Sequence, residues 1–151
     1  ISAYAISFCI LGAIQALVAS LTSIYVFGLD ARGHALPLVS IAVLDSVLGT
    51  ALGLLASSMA RNEFQAVQFM PIVLIPQFLL GGFIVPRDSL PKILNFLSDL
   101  MPLSYSVDAL SVIFRANAEL GSQFWKNLIV VLCISILALA MGGFTLRRSS
   151  K

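Results

Sequence analysis

Residues 64–86 read FQAVQFMPIVLIPQFLLGGFIVP, 23 positions without an acidic or basic side chain. A helix rises about 1.5 Å per residue, so roughly 20 residues cross the hydrocarbon core of a bilayer. This run is long enough to do so, and three more lie around it. Residues 127–146 and 1–29 carry no charge, and residues 36–60 are interrupted only by Asp45. The runs are continuously apolar rather than alternating, which excludes barrel strands. In lipid a backbone must satisfy its own hydrogen bonds, which selects helix. The sequence therefore predicts an all-α membrane protein with four transmembrane helices, at 4–27, 37–59, 65–85 and 124–146, in a single transmembrane domain over 1–151.

Composition points the same way. Of the 151 residues 59% are apolar and 11% charged, against about 25% charged in a soluble domain, so the charges cannot coat a globule in water. A mean hydropathy of +1.00 excludes disorder. The net charge of +2 comes without a basic patch, which argues against nucleic acid as a partner. The first run lacks a basic leader and is too long for a signal peptide. Because the chain begins at Ile1 rather than Met, it is expected to be a piece of a longer protein. Cys9 and Cys133 both fall inside predicted spans, where they read as small apolar packing residues rather than a disulfide.

Four spans put both ends on one side of the membrane. Arg147, Arg148 and Lys151 crowd the tail 147–151, and Arg61 sits in the turn on the same side. The positive-inside rule makes that side cytoplasmic by the density of charge beside the span ends. Residues 87–121 then form an external hairpin. Pro86, Pro91 and Pro102 punctuate it, and Asp88 or Ser89 is expected to cap a helix near Pro91. Lys92, Asn95 and Asp99 share one face of that helix. A second helix follows Pro102, with Ser104, Asp108, Ser111 and Arg115 as a polar stripe. Two short amphipathic helices suggest an interfacial or re-entrant hairpin, either capping a substrate exit or lying on the bilayer surface.

Asp45 is the acid well inside a span, where insertion costs about 2.5–3.5 kcal/mol. Its neighbours at four-residue steps are Gly49, Gly53 and Ser57, a small-residue stripe that lets another backbone approach. Asp45, Gly49 and Gly53 are therefore expected in helix packing, as is Gly12 in the first span; Asp45 alternatively reads as a cation-binding or gating acid. The third span differs in kind. Pro71 and Pro76 each remove a backbone hydrogen bond, and Gly81-Gly82 loosens its outer end, so it should be kinked and compliant. Phe69, Gln77, Phe78 and Phe83 give it an aromatic, weakly polar lining suited to amphipathic substrates, or ordinary lipid-facing aromatics. No phosphate-binding loop, no metal set around the lone His34 and no Ser/His/Asp set is present, so no catalytic, cofactor or metal residue is assigned.

The segments Glu63-Phe64-Gln65, Phe69-Met70-Pro71 and Pro76 through Pro86 resemble permeases of ABC type-2 exporters. Leu90-Pro91 and Met101 through Leu110 continue the likeness, which looks closest to the bacterial multidrug and daunorubicin-resistance-like branch. The resemblance implies a six-span permease of the cell membrane, of which this chain would hold spans three to six. It implies ATP-Mg used by an ATP-binding cassette ATPase subunit, a second permease copy or homologue forming a dimer, and a small amphipathic substrate passing along the dimer interface among membrane lipid. It raises Phe69, Pro71, Pro76, Gln77, Phe78, Gly81 and Gly82 as substrate pathway, Ser104, Asp108 and Arg115 as the external hairpin, and Arg61 and Glu63 as possible ATPase contacts. A gradient-driven secondary transporter and a non-transporting membrane scaffold stand as alternatives; the first would need Asp45 for coupling.

Overall fold

The computed structural model describes the backbone of residues 2–31, 33–60, 62–115 and 120–149, and side chains within 5–142 except at 32, 61, 88 and 116–119. Six α-helices follow in order: α1 (Ser2–Tyr25), α2 (Ala35–Met59), α3 (Glu63–Leu80), α4 (Lys92–Asp99), α5 (Pro102–Phe114) and α6 (Ser122–Ser149), with a single 3-10 turn at Arg87–Ser89. No strand occurs among the described residues. Within four of the helices, Ala5–Tyr25, Ala35–Met59, Glu63–Leu80 and Ser122–Gly142 are long and apolar enough to cross a membrane. Their outward side chains, Ile6, Val18, Ile72, Ile75 and Ile136 among them, are exposed on the molecule and suit a lipid solvent.

Helix α2 is the hub. It packs most extensively on α6 and α1, less on α3 and α5, while α5 lies along α6. Apolar side chains gain nothing by leaving lipid for one another, so close approach and hydrogen bonds must hold such a bundle. Gly12 of α1 faces Ser46 and Thr50 of α2, and a Cβ placed there would meet both residues at 3.4–3.6 Å. A Cβ built on Gly142 of α6 would lie 3.5–3.7 Å from the backbone of Leu54 and Leu55 of α2. Ser135 and Ala138 are buried on the same α6 face. Hydroxyls in the spans bond to their own helices, as Ser135 does to the Val131 carbonyl (2.8 Å) and Thr50 to that of Ser46 (2.9 Å). An apolar core of Ala31, Leu38, Ile41, Ala109, Ile113 and Phe124 ties the start of α2 to α5 and α6.

Two expectations need correction. The third helix ends at Leu80, not Val85: Gly81 closes it, and Gly82 takes a φ of +89°, a left-handed conformation that reverses the chain at little cost only for glycine. The cap of α4 falls on Pro91, not Asp88 or Ser89, which belong to the 3-10 turn; Pro91 has no side-chain acceptor. The last helix continues through Arg147 and Arg148 to Ser149. Pro71 and Pro76 sit inside one continuous helix, and Asn62 caps its start by accepting from the Gln65 amide at 2.8 Å.

Candidate functional site

Adjacent residues on a helix point about 100° apart. Ser46 and Thr50 of α2 therefore face α1, while Asp45, Gly49, Gly53 and Ala56 face α3. On that second side the helices do not close. A cleft of about 120 Å³ runs between them, with Leu48 and Leu52 on the α2 wall, Met70, Val73 and Leu74 on the α3 wall, and Leu103 of α5 at one end. A Cβ built on Gly49 or Gly53 would meet nothing within 4 Å, so these glycines border open space in this chain rather than a second backbone.

Two polar side chains interrupt the apolar lining. Gln77 is only 5% exposed, and its amide nitrogen donates to the Val73 carbonyl at 3.2 Å, which leaves the amide oxygen available as an acceptor. Asp45 accepts from the Ser106 hydroxyl of α5. Asp45 lies as many residues before Met59, the end of α2, as Gln77 lies after Glu63, the start of α3, so the antiparallel helices bring them to one depth. Asp45 is the only ionisable side chain lining the cleft, and it has no cationic partner among the described residues.

Above the cleft the α4–α5 hairpin is fastened to the end of α3. Ser98, fully buried, donates to the Leu80 carbonyl at 2.7 Å, one of the orphaned carbonyls of a helix end, and lies 3.1 Å from the buried Ser104 hydroxyl. Arg87 donates to Asp99 and to Asp108, pinning the 3-10 turn to both hairpin helices. Its stem also covers Gly82, where a Cβ would lie 3.2 Å from Arg87 Cγ. Tyr105 donates to the Asp99 carbonyl at 2.9 Å and straps the elbow of the hairpin.

Of the residues read as pathway from sequence, Gln77 lines the cleft. Phe78 is exposed on the outer side of α3 and meets Phe83 at 5.7 Å between ring centres; Phe69 is half-buried, Pro71 exposed and Pro76 half-buried away from the cleft lining. Gly81 and Gly82 form the turn at its end. Of the expected packing residues, Gly12 lies against α2, whereas Asp45, Gly49 and Gly53 border the cleft. Ser104 is buried, Asp108 pairs with Arg87, and Arg115 caps α5 in an exposed position. Glu63 is exposed in the first turn of α3; Arg61 lies outside the described residues. Sequence reasoning did not single out Arg87 or Ser98. Their partners are 12 and 21 residues away for Arg87 and 18 for Ser98, across turns that no helical periodicity links.

The chain is similar to "Probable multidrug ABC transporter permease YbhS" of Escherichia coli (strain K12), 32% identical over 130 residues, covering 85% of this chain and 32% of that protein. It is also similar to "ABC transporter G family member 20" of Dictyostelium discoideum, 25% identical over 139 residues, covering 91% of this chain and 19% of that protein. "ABC transporter G family member 23" of the same organism is 25% identical over 120 residues, covering 79% of this chain and 17% of that protein. The chain thus spans about a third or less of the length of these relatives. No solved structure matches it. The ABC-2 type transporter family model matches residues 1–115, most of the chain, and with four membrane-length helices this multi-pass protein of the cell membrane belongs to that family.

Proposed function

We propose that the chain is part of the membrane subunit of an ATP-driven exporter and supplies one wall of the route taken by an amphipathic drug or lipid-like molecule. The observation that carries this is the open cleft between α2 and α3, an apolar surface with two polar groups at one depth. Sites for small molecules usually hold about 300–1,000 Å³. At about 120 Å³ the cleft is too small to enclose such a molecule alone, which supports a second permease completing the site. ATP-Mg is bound and hydrolysed by an ATP-binding cassette partner, a reading supported by membership of the ABC-2 family; residues 1–151 carry no phosphate-binding loop of their own. The junction between α2 and α3, with Glu63, faces that subunit on the cytoplasmic side, and the α4–α5 hairpin closes the opposite, external end as a re-entrant element. The Ser106–Asp45 hydrogen bond supports this placement, since it sets the first turns of α5 beside the middle of α2.

The test is flux in proteoliposomes containing the full-length permease with its ATPase subunit. Export that requires ATP, and that stops when the ATPase is inactivated, is the expected outcome. Asp45 specifically favours a second reading, a gradient-driven carrier, because coupling needs an ionisable group in the membrane. Flux driven by an ion gradient without ATP would establish that reading instead. An intact complex with no flux under either condition would point to a scaffold.

A further inference from the structure

We infer that Asp45 makes the α2–α3 cleft a binding subsite for drug-sized organic cations, with the carboxylate as counter-ion to one positive charge on an apolar body. The inference rests on the cleft being the substrate route and adds the chemistry of what it selects. Among the described residues Asp45 meets no Lys or Arg, and every other side chain lining the cleft is uncharged. A carboxylate near the bilayer centre without a positive partner is costly, and a ligand cation would remove that cost. The Leu48, Leu52, Val73 and Leu74 walls fit the apolar remainder of such a ligand, and the open space beside Gly49 and Gly53 gives it room.

The same lining argues against other cations. A metal ion takes several oxygen or nitrogen ligands, and here one carboxylate and one amide face the space; no group of three His, Cys, Asp or Glu that could hold a metal occurs among the described residues. A zwitterionic lipid headgroup would bring its phosphate near Asp45, with no Lys or Arg in the lining to receive it. The Ser106 hydrogen bond holds the carboxylate in place while its second oxygen stays available for a charge-assisted contact.

The test uses the complete permease–ATPase complex in lipid nanodiscs and two probes of one shape and opposite charge, tetraphenylphosphonium and tetraphenylborate. The phosphonium should bind more tightly than the borate. Asp45→Asn should weaken phosphonium binding about tenfold, as expected for loss of a charge-assisted contact, and leave borate binding unchanged. Asp45→Glu should keep the preference for the cation. Ser106→Ala, which removes the hydrogen bond but not the charge, should keep it too and so separates charge from folding. Gly53→Val, which fills the cleft, should weaken both probes alike. No preference in the parent protein, or phosphonium binding indifferent to Asp45→Asn, would overturn the inference. In parallel, ATP-driven export of the uncharged probe N-phenyl-1-naphthylamine distinguishes the two levels. Export that persists without any charge preference defeats the cation site alone. Absence of ATP-driven export defeats the transport reading, while an Asp45-dependent phosphonium preference would still establish the site.

Discussion

Glycines on the two sides of α2 serve opposite ends. Toward α1 and α6, Gly12 and Gly142 lie within van der Waals reach of Ser46, Thr50 and the Leu55 backbone, so the helices touch. Toward α3, Gly49 and Gly53 meet no atom within 4 Å, and a cleft remains. A glycine permits close approach but does not cause it. What decides is whether the neighbour presents a matching surface, and α3, shortened by its glycine turn and fastened to the hairpin at Leu80, does not.

The sharpest way to break this contrast is to enlarge a glycine on each side. Gly142→Leu should destabilise the protein by about 1–3 kcal/mol through overpacking against the Leu54–Leu55 backbone. Gly53→Leu should change stability by about 0.5 kcal/mol or less, since it enters open space. Unfolding titration of both variants in mixed micelles reads the difference, and equal losses would contradict it. Next in size is the clamp over the cleft. Arg87→Ala should cost about 1–2 kcal/mol, held down by the half-exposed Asp99, and Arg87→Lys should recover only part because it cannot reach both acids in the same fork geometry. Ser98→Ala should cost about 1 kcal/mol and speed amide hydrogen exchange at the end of α3, because the Leu80 carbonyl loses its buried donor. A change of the opposite sign belongs to the packed side. Asn127 of α6 is buried with its amide nitrogen unpartnered among the described residues, so Asn127→Leu should leave stability unchanged or raise it by up to about 1 kcal/mol in the same titration.

The helices were legible because charge-free runs of membrane length leave the backbone no alternative to helix. The end of α3 was not, since Phe83, Ile84 and Val85 are as apolar as the residues before them and hydropathy registers no change at Leu80. Only the left-handed turn at Gly82 ends the helix. At the site, Gln77 could be singled out as a polar residue in an apolar span, and Asp45 as an acid in another. That they share a cleft depends on the antiparallel pairing of α2 and α3, which no spacing within either helix encodes. The stripe of Asp45, Gly49 and Gly53 suggests close helix packing, yet the helical rotation that turns Ser46 and Thr50 toward α1 turns the stripe toward the cleft.

The most direct test of the cleft as a substrate route is protection from labelling. In the complete ATPase-bound complex, with Cys9 and Cys133 replaced by Ala, the variants Gly53→Cys and Gly142→Cys are treated with a small maleimide with and without N-phenyl-1-naphthylamine. Gly53→Cys should react and be protected by the probe, and Gly142→Cys should stay unreactive throughout. Equal reactivity at both positions, or reaction at position 53 unaffected by a probe that the same complex exports, would contradict it.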